Sequence, residues 1–472
     1  MTNHLNALKD AVMKPIWHDC DDMPQPMPPL NSDQQCELLI VGGGFTGLWA
    51  ALQTKERAPD TDIILIEKTF IADGASGRNG GFLCASIAHG ESNIQRRFEG
   101  EANRLEALGQ QNLLELLDTL KRYDIDARYE NTGMTELAKD DDAAHRLYQE
   151  YLELSRQGKE VVWYDRDSVQ TQIDSPLFCA GLWVRSNDGV VDPARLCWGL
   201  KRVLLERYGV RIFEGTEMLT IEQDQNHDMH TQCAGGKITS SKVLIATNAY
   251  TSPFKRVNRS TIPVWDYQIA TEPLTQAQLE KIRWGMAHSR HALEDYVNMF
   301  HYFRLTKDNR ITWGGGGDVR YYFNRGTRNE LMNAPDRHQR LAREFFEMFP
   351  QLEGEIKFTH KWGGIIASST RFCMVPETAC NGRVAWSVGY TGLGVGASRF
   401  GARVAIEMLG YGPSEILNLD FVNRKPLPWA PEPFRWLGVR FTQYELARAD
   451  RNGGKRGLWL KLLDRMGLGF AC

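Results

Sequence analysis

The sequence predicts an α/β fold in two domains, one begun by a βαβ unit and one, of α+β character, built on an antiparallel sheet. Three observations lead there. The apolar run Glu37-Leu38-Leu39-Ile40-Val41 passes through a glycine-rich turn into helical spacing and on to a second apolar run, Ile63–Glu67. From about residue 260 to 320 the chain is β-branched and aromatic, and Val264–Thr271, Met299–Leu305 and Arg310–Trp313 read as strands. A length of 472 residues suits about two domains.

Taken in order, residues 1–36 read as an irregular arm, because Pro24, Pro26, Pro28 and Pro29 exclude a helix there. Strand, glycine turn, helix Leu48–Arg57 and strand Ile63–Glu67 follow as one βαβ unit. Residues 91–159 read as a helical insertion, with Leu113, Leu114, Leu117 and Leu120 at helical spacing. Strands return at Gly181–Val184, Val210–Phe213 and Lys242–Ala246, the last running into Thr247-Asn248-Ala249-Tyr250. Residues 328–349 are helical again. Val384–Val388 precedes Gly389-Tyr390-Thr391-Gly392-Leu393-Gly394 and a helix from about Ala397 to Leu409.

Composition bounds the function. Lys+Arg is 56 and Asp+Glu 59, so the net charge of −3 argues against a general nucleic-acid binder. No apolar run approaches a membrane span. The first thirty residues hold Lys9, Asp10, Lys14, Asp19, Asp21 and Asp22 with no apolar core, so no secretory leader is read and a cytoplasmic protein is expected. Nine cysteines, from Cys20 to Cys472, form no Cys-x-x-Cys pair and read as reduced thiols, with no metal site expected.

The strongest motif is Gly42-x-Gly44-x-x-Gly47, with Phe45 and Thr46 opening the helix. Gly42 permits the tight turn, Gly44 leaves room for a pyrophosphate, and Gly47 lets helix and strand pack closely. The helix N-terminus offers free N–H groups to phosphate. Glu67, followed by Lys68, sits where an acid accepts ribose hydroxyls. This is a Rossmann-like dinucleotide site. A second segment, Gly74-Ala75-Ser76-Gly77-Arg78-Asn79-Gly80-Gly81-Phe82, has small residues that admit a flat ring or a phosphate, and Arg78 and Asn79 add donors. A flexible glycine loop is the other reading of that segment.

The segments Val41–Gly47, Ala75–Phe82, Ala246–Tyr250 and Gly389–Gly394 resemble the D-amino-acid-oxidase-like superfamily of FAD oxidoreductases. Ser76–Gly81 and Phe300–Gly317 are most similar to its gamma-glutamylputrescine oxidase branch. The resemblance implies non-covalent FAD in a discontinuous domain of residues 37–90, 160–255 and 356–410, a substrate domain of 256–355, and a tail of 411–472. It places Ser76, Gly77, Arg78, Asn79, Gly80 and Gly81 along the flavin ring or pyrophosphate, Thr247 and Asn248 beside the cofactor, and Gly392, Leu393 and Gly394 at the pyrimidine end. The chain departs from the sarcosine oxidase pattern: Gly392-Leu393-Gly394-Val395-Gly396 lacks the histidine and the carboxylate-holding lysine. Thr312 is the nearest match to the lysine that assists oxygen reduction, and no cysteine lies at Ala367–Thr370 to hold flavin covalently.

For the substrate, the resemblance implies that His301 and Tyr302 orient an amine; a half-buried strand histidine is the other reading of His301. Arg304 and Arg371 are candidates for an anionic group, or members of structural ion pairs. Phe82, Trp362 and Tyr390 wall the pocket or pack the core. The expected reaction is oxidation of a small primary or secondary aliphatic amine, gamma-glutamylputrescine-like or an aminoalkylphosphonate, to an imine that hydrolyses to an aldehyde, with O2 reduced to H2O2. A dehydrogenase passing electrons to a quinone is the alternative, and a flavin-dependent tRNA-modifying protein is opposed by the charge balance. From Arg424 to Cys472 there are ten Lys/Arg against four Asp/Glu, and Leu458, Trp459, Leu462, Leu463 and Met466 share a helical face with Lys455, Arg456, Lys461 and Arg465 around it. That face packs on the parent domain or a second subunit, or touches a membrane. A monomer or homodimer is expected.

Overall fold

The computed structural model describes residues 3–250, 253–285, 290–317 and 319–469. The first sheet has a parallel core in the order Val384–Val388, Gly236–Ile245, Gln34–Val41, Ile63–Ile66, Arg211–Phe213. Leu38–Val41 and Ile63–Ile66 are buried throughout, as expected of parallel strands covered on both faces. Helices Phe45–Arg57 and Gly394–Met408 lie together, and both contribute to the core under this sheet. Register pairs Val41 with Ile66 and with Ile245, so Gly42, Glu67 and Ala246 leave the sheet side by side at its carboxyl edge. Ligands of open α/β sheets bind outside that edge.

The second sheet has nine strands in the order Val12–Met13, Phe358–Ser369, Thr261–Thr271, Ile311–Gly315, His301–Leu305, Ala292–Asp295, Met134–Ala138, Ala180–Val184, Val161–Tyr164. It is mainly antiparallel, with parallel pairs at Val12–Met13 and between Ala292–Asp295 and Met134–Ala138. One face carries Trp265, Ile269, Phe303, Leu305 and Trp313 into a core shared with Phe345 and Phe349. Strand residues alternate faces, so Gln268, Glu294 and Tyr302 point the other way.

Two expectations need correction. The stretch 91–159 is not wholly helical, since Met134–Ala138 enters the middle of the large sheet; five residues flanked by long helices are too short for a periodic signal. The arm 1–36 is not irregular. It contains helix Asn3–Ala7, a strand pairing Val12 with His360, and a buried Trp17 whose indole Nε1 donates to the Asn79 carbonyl at 2.8 Å. The tail holds helices Asp420–Asn423, Phe434–Arg451 and Leu458–Arg465. Among the described residues no helix is long and apolar enough to cross a membrane. The eight described cysteines are free thiols; Cys472 lies outside the described residues.

Candidate functional site

A cavity of about 1650 Å³ lies between the carboxyl edge of the parallel core and the polar face of the large sheet. Its cradle starts at Gly42, whose φ is +115° and whose N–H donates to Ile66 O at 2.8 Å. A Cβ on Gly42 would stand 2.6 Å from Ala246 O, and one on Gly47 2.0 Å from Gly42 O. Only glycine fits either place, which is the close packing the motif demands. Gly44, Phe45 and Thr46 line the cavity, and Gly47 packs behind them. Helix Phe45–Arg57 has no side-chain cap from Gly44; its first N–H, on Phe45, donates to Ser76 Oγ at 2.8 Å. Thr46 Oγ1 lies 3.0 Å from Tyr390 OH. Helix Gly394–Met408 likewise begins at the cavity wall, where Gly392, Leu393 and Gly394 form the lining and no side chain caps the turn. Two helix N-termini therefore present partial positive charge to one space.

Glu67 accepts from Gly43 N–H at 2.7 Å and Thr69 N–H at 3.1 Å, and burial raises its carboxyl above the usual range. Lys68 is exposed at the rim, paired with Glu217 at 2.8 Å. The loop after it is built, not flexible. Asn79 Nδ2 donates to the Ala75 and Ser76 carbonyls, Asn79 Oδ1 accepts from Gly81 N–H, and Arg78 pairs with Asp73 at 2.8 Å. The Arg78 carbonyl accepts from Gln268 Nε2 and Trp362 Nε1, each at 2.9 Å. Ser76, Arg78, Asn79 and Gly80 line the cavity; Gly77 and Gly81 do not. Across it stand Thr247 and Asn248, the Thr247 hydroxyl buried without a partner.

The opposite wall is one row of the large sheet. Register aligns Glu136 with Glu294, Glu294 with Tyr302, Tyr302 with Gly314, Gly314 with Gln268, and Gln268 with Trp362. Glu136, Glu294, Tyr302 and Gln268 all line the cavity. Tyr302 OH donates to Asp266 Oδ2 at 2.5 Å, and the ring meets Phe82 edge-on at 5.5 Å. Burial raises the Asp266 carboxyl, and burial with the Asp266 charge pushes the Tyr302 phenol well up. Gln268 Oε1 is buried and unpartnered. Burial, then the neighbouring Asp295 and Glu150 charges, raise Glu294 to about 7; burial, then Glu150 and Glu294, push Glu136 well up.

Five expected substrate residues do not reach this space. His301 faces the core: Nδ1 contacts Asp295 at 2.9 Å, Nε2 contacts Glu344 at 3.0 Å, and the ring stacks on Trp313. Burial lowers its pKa, but the Asp295 charge and both hydrogen bonds outweigh that and raise it. Strand alternation, which aims Tyr302 inward, necessarily aims His301 away. Thr312 lies two positions along the strand from Gly314 and is buried outside the lining. Arg304 donates to the Val191 carbonyl at 2.6 Å and lies over Trp17. Arg371 is held by the Phe421 and Arg424 carbonyls, among others, between Phe98 and Phe421. Both guanidiniums are consumed by backbone rather than by an ion pair or a ligand. Trp362 is wholly buried behind Arg78, whereas Phe82 and Tyr390 do line the cavity. Asp266, Gln268, Glu136 and Glu294 escaped the sequence reading. The signal for the first two was Val264, Asp266 and Gln268 at every second position of an apolar strand.

A glycine cradle, a ribose-type acid and two helix N-termini around one cavity define a dinucleotide-binding oxidoreductase site. The profile described as FAD dependent oxidoreductase (DAO) matches residues 37–408, and the chain belongs to this family. It is 28% identical over 424 residues to gamma-glutamylputrescine oxidoreductase of Escherichia coli (strain K12), covering 88% of this chain and 92% of that protein. It is 25% identical to a probable oxidoreductase, OrdL, of Haemophilus influenzae, with the same coverage of each. Glycine oxidase from Geobacillus kaustophilus superposes with a TM-score of 0.64 at 18% identity, over 82% of this chain and 98% of that one. L-proline dehydrogenase from P. horikoshii gives 0.62 at 17% identity, over 84% and 97%. The protein is an FAD-dependent oxidoreductase. The cavity suits that group: its volume, the glycine turn a Cβ would fill, and the orphaned Thr247 hydroxyl all match an elongated, acceptor-rich cofactor.

Proposed function

We propose that this enzyme oxidises a small primary or secondary aliphatic amine to an imine, which water converts to an aldehyde and ammonia or a smaller amine. One observation carries the reading: the wall facing the cofactor cradle is a row of acceptors, Glu136, Glu294, the Tyr302–Asp266 pair and Gln268. Such a row recognises N–H donors and positive charge. FAD, when bound, supplies the two-electron oxidation of the amine-bearing carbon and passes the electrons to O2, giving H2O2. Gly42, Gly44, Phe45 and Thr46 would hold its diphosphate, Glu67 its ribose, and Gly392, Leu393 and Gly394 the ring's pyrimidine end. Tyr302 and Phe82 would orient the substrate chain, and Gln268 would accept from the amine. Glu294 lies three strands along the row from Gln268, so with Glu136 it would hold a second positive group of the substrate rather than the amine that reacts.

Arg304 and Arg371 are spent on backbone carbonyls and offer no clamp to an aminoalkylphosphonate, while the row of acceptors supports a gamma-glutamylputrescine-like amine. The name of the Escherichia coli relative agrees with it. The test is anaerobic mixing of the yellow protein with mono- and diamines while following flavin absorbance, then peroxide assay in air. Bleaching by amines supports the reading; no bleaching by any amine removes it. The exposed basic tail favours a second reading, in which a quinone replaces O2. Amine turnover with quinone and without peroxide would establish that one.

A further inference from the structure

We propose that the outer face of the two C-terminal helices docks on an anionic lipid bilayer. Helix Phe434–Arg451 leaves Leu437, Phe441 and Tyr444 exposed at spacings of four and three, one stripe along the helix, while the exposed Phe434 at its start also borders the cavity. On helix Leu458–Arg465, Leu458 is 88% exposed and Leu462 continues the line four residues on; Met466, past the helix end, is exposed but also borders the cavity. Phe441 lies 5.4 Å from Trp459, so the two helices pack against each other and carry their exposed stripes side by side.

Charge states what covers this surface. Arg440, Arg451, Lys455, Lys461 and Arg465 are exposed on these helices and their connection. The acids of the segment are turned inward: Glu445 is buried beside Arg448, Glu432 accepts from Tyr321 OH, Asp450 takes the Asn298 and Met299 N–H groups, and Asp464 pairs with Arg96 and Arg456. The result is a basic, apolar face on a chain of net charge −3. That combination fits acidic headgroups over an apolar interior. A second copy of the same face would set cation against cation. The inner side of the same helices, through Val439, Thr442, Leu446, Trp459 and Leu463, lines the cavity. The docking face is thus the outer wall of the substrate chamber, and the proposal stands whether the acceptor is O2 or a quinone.

The test is flotation of the FAD-loaded enzyme with vesicles of phosphatidylcholine alone or mixed with phosphatidylglycerol, at low and high salt. The expected result is binding to the mixed vesicles, weakened by salt, and cut about tenfold in L458E/L462E and in K461E/R465E. Both variants should keep the flavin spectrum and amine-dependent bleaching of the parent, which checks folding. No binding to the mixed vesicles overturns the proposal, as does unchanged binding in both variants. So does a homodimer that L458E/L462E converts to monomer without effect on lipid binding.

Discussion

Glu136 and Glu294 face each other directly across two parallel strands, and both side chains line the cavity. Strands of a sheet lie about 4.8 Å apart, and like charges at opposed positions are destabilising. Each is raised by burial and then by neighbouring acids. A cationic ligand relieves this repulsion, so E136Q and E294Q should each raise KM for a cationic amine about tenfold, or ~1.4 kcal/mol. Steady-state kinetics with a diamine and its mono-acetylated form check this, and the difference should vanish for the acetylated substrate.

The same pair sets a pH dependence. A carboxyl whose folded pKa is raised binds more protons folded than unfolded, so stability is unaffected below its unfolded value near 4.5 and falls as pH rises through about 7. The ligand-free enzyme should therefore lose melting temperature between pH 4.5 and about 7, the span of the shift, and E294Q should flatten that slope. Saturating diamine should flatten it as well. Melting curves across that range, with and without diamine, supply the answer.

Tyr302 reaches its partner Asp266 at 2.5 Å in the wall of the cavity. Y302F keeps the ring against Phe82 and removes the hydrogen bond, so Asp266 loses its side-chain donor and keeps the Tyr267 N–H, at a cost of about 1–3 kcal/mol. kcat/KM should fall about 10- to 100-fold with the flavin content unchanged. An unaltered kcat/KM would place the pair outside the reaction.

G42A forces a Cβ to within 2.6 Å of Ala246 O at a φ of +115°. The variant should purify with little or no yellow colour, and added FAD should bind at least about tenfold more weakly. Fluorescence titration of the apoprotein measures this.

Arg304 and Arg371 saturate backbone carbonyls behind the lining rather than in it. R304A and R371A should leave KM for the amine unchanged while costing about 2–4 kcal/mol of stability, because buried carbonyls lose their donors. A large KM effect with unchanged melting would reverse this assignment.

The cradle was legible because it is local: three glycines at fixed spacing, one strand and one acid lie within thirty residues. Strand existence around 260–320 was legible for the same reason, through β-branched and aromatic runs. What a single sequence hides is which side of a strand meets which space. His301 and Tyr302 are neighbours with opposite fates, and only the sheet's register shows that Tyr302, not His301, shares a row with Glu294 and Gln268. Glu136 was hidden further, since it arrives from a five-residue strand inside a stretch dominated by helices. The two arginines misled because a guanidinium suits a carboxylate and a carbonyl equally, and burial, invisible in sequence, decided between them.

The short strand Val12–Met13 has its partner in Phe358–Ser369, and Trp17 props the Asn79 carbonyl within the loop Ser76–Gly81. During synthesis Val12 and Met13 are made well over 300 positions before their hydrogen-bonding edge exists. The Trp17–Asn79 contact joins residues only 62 apart, so the loop Ser76–Gly81 gains that brace long before the strand edge that seats Val12–Met13. Seating of Val12–Met13 is thus a late event in assembly, and loss of that strand pairing would be felt through Trp17 at the loop Ser76–Gly81.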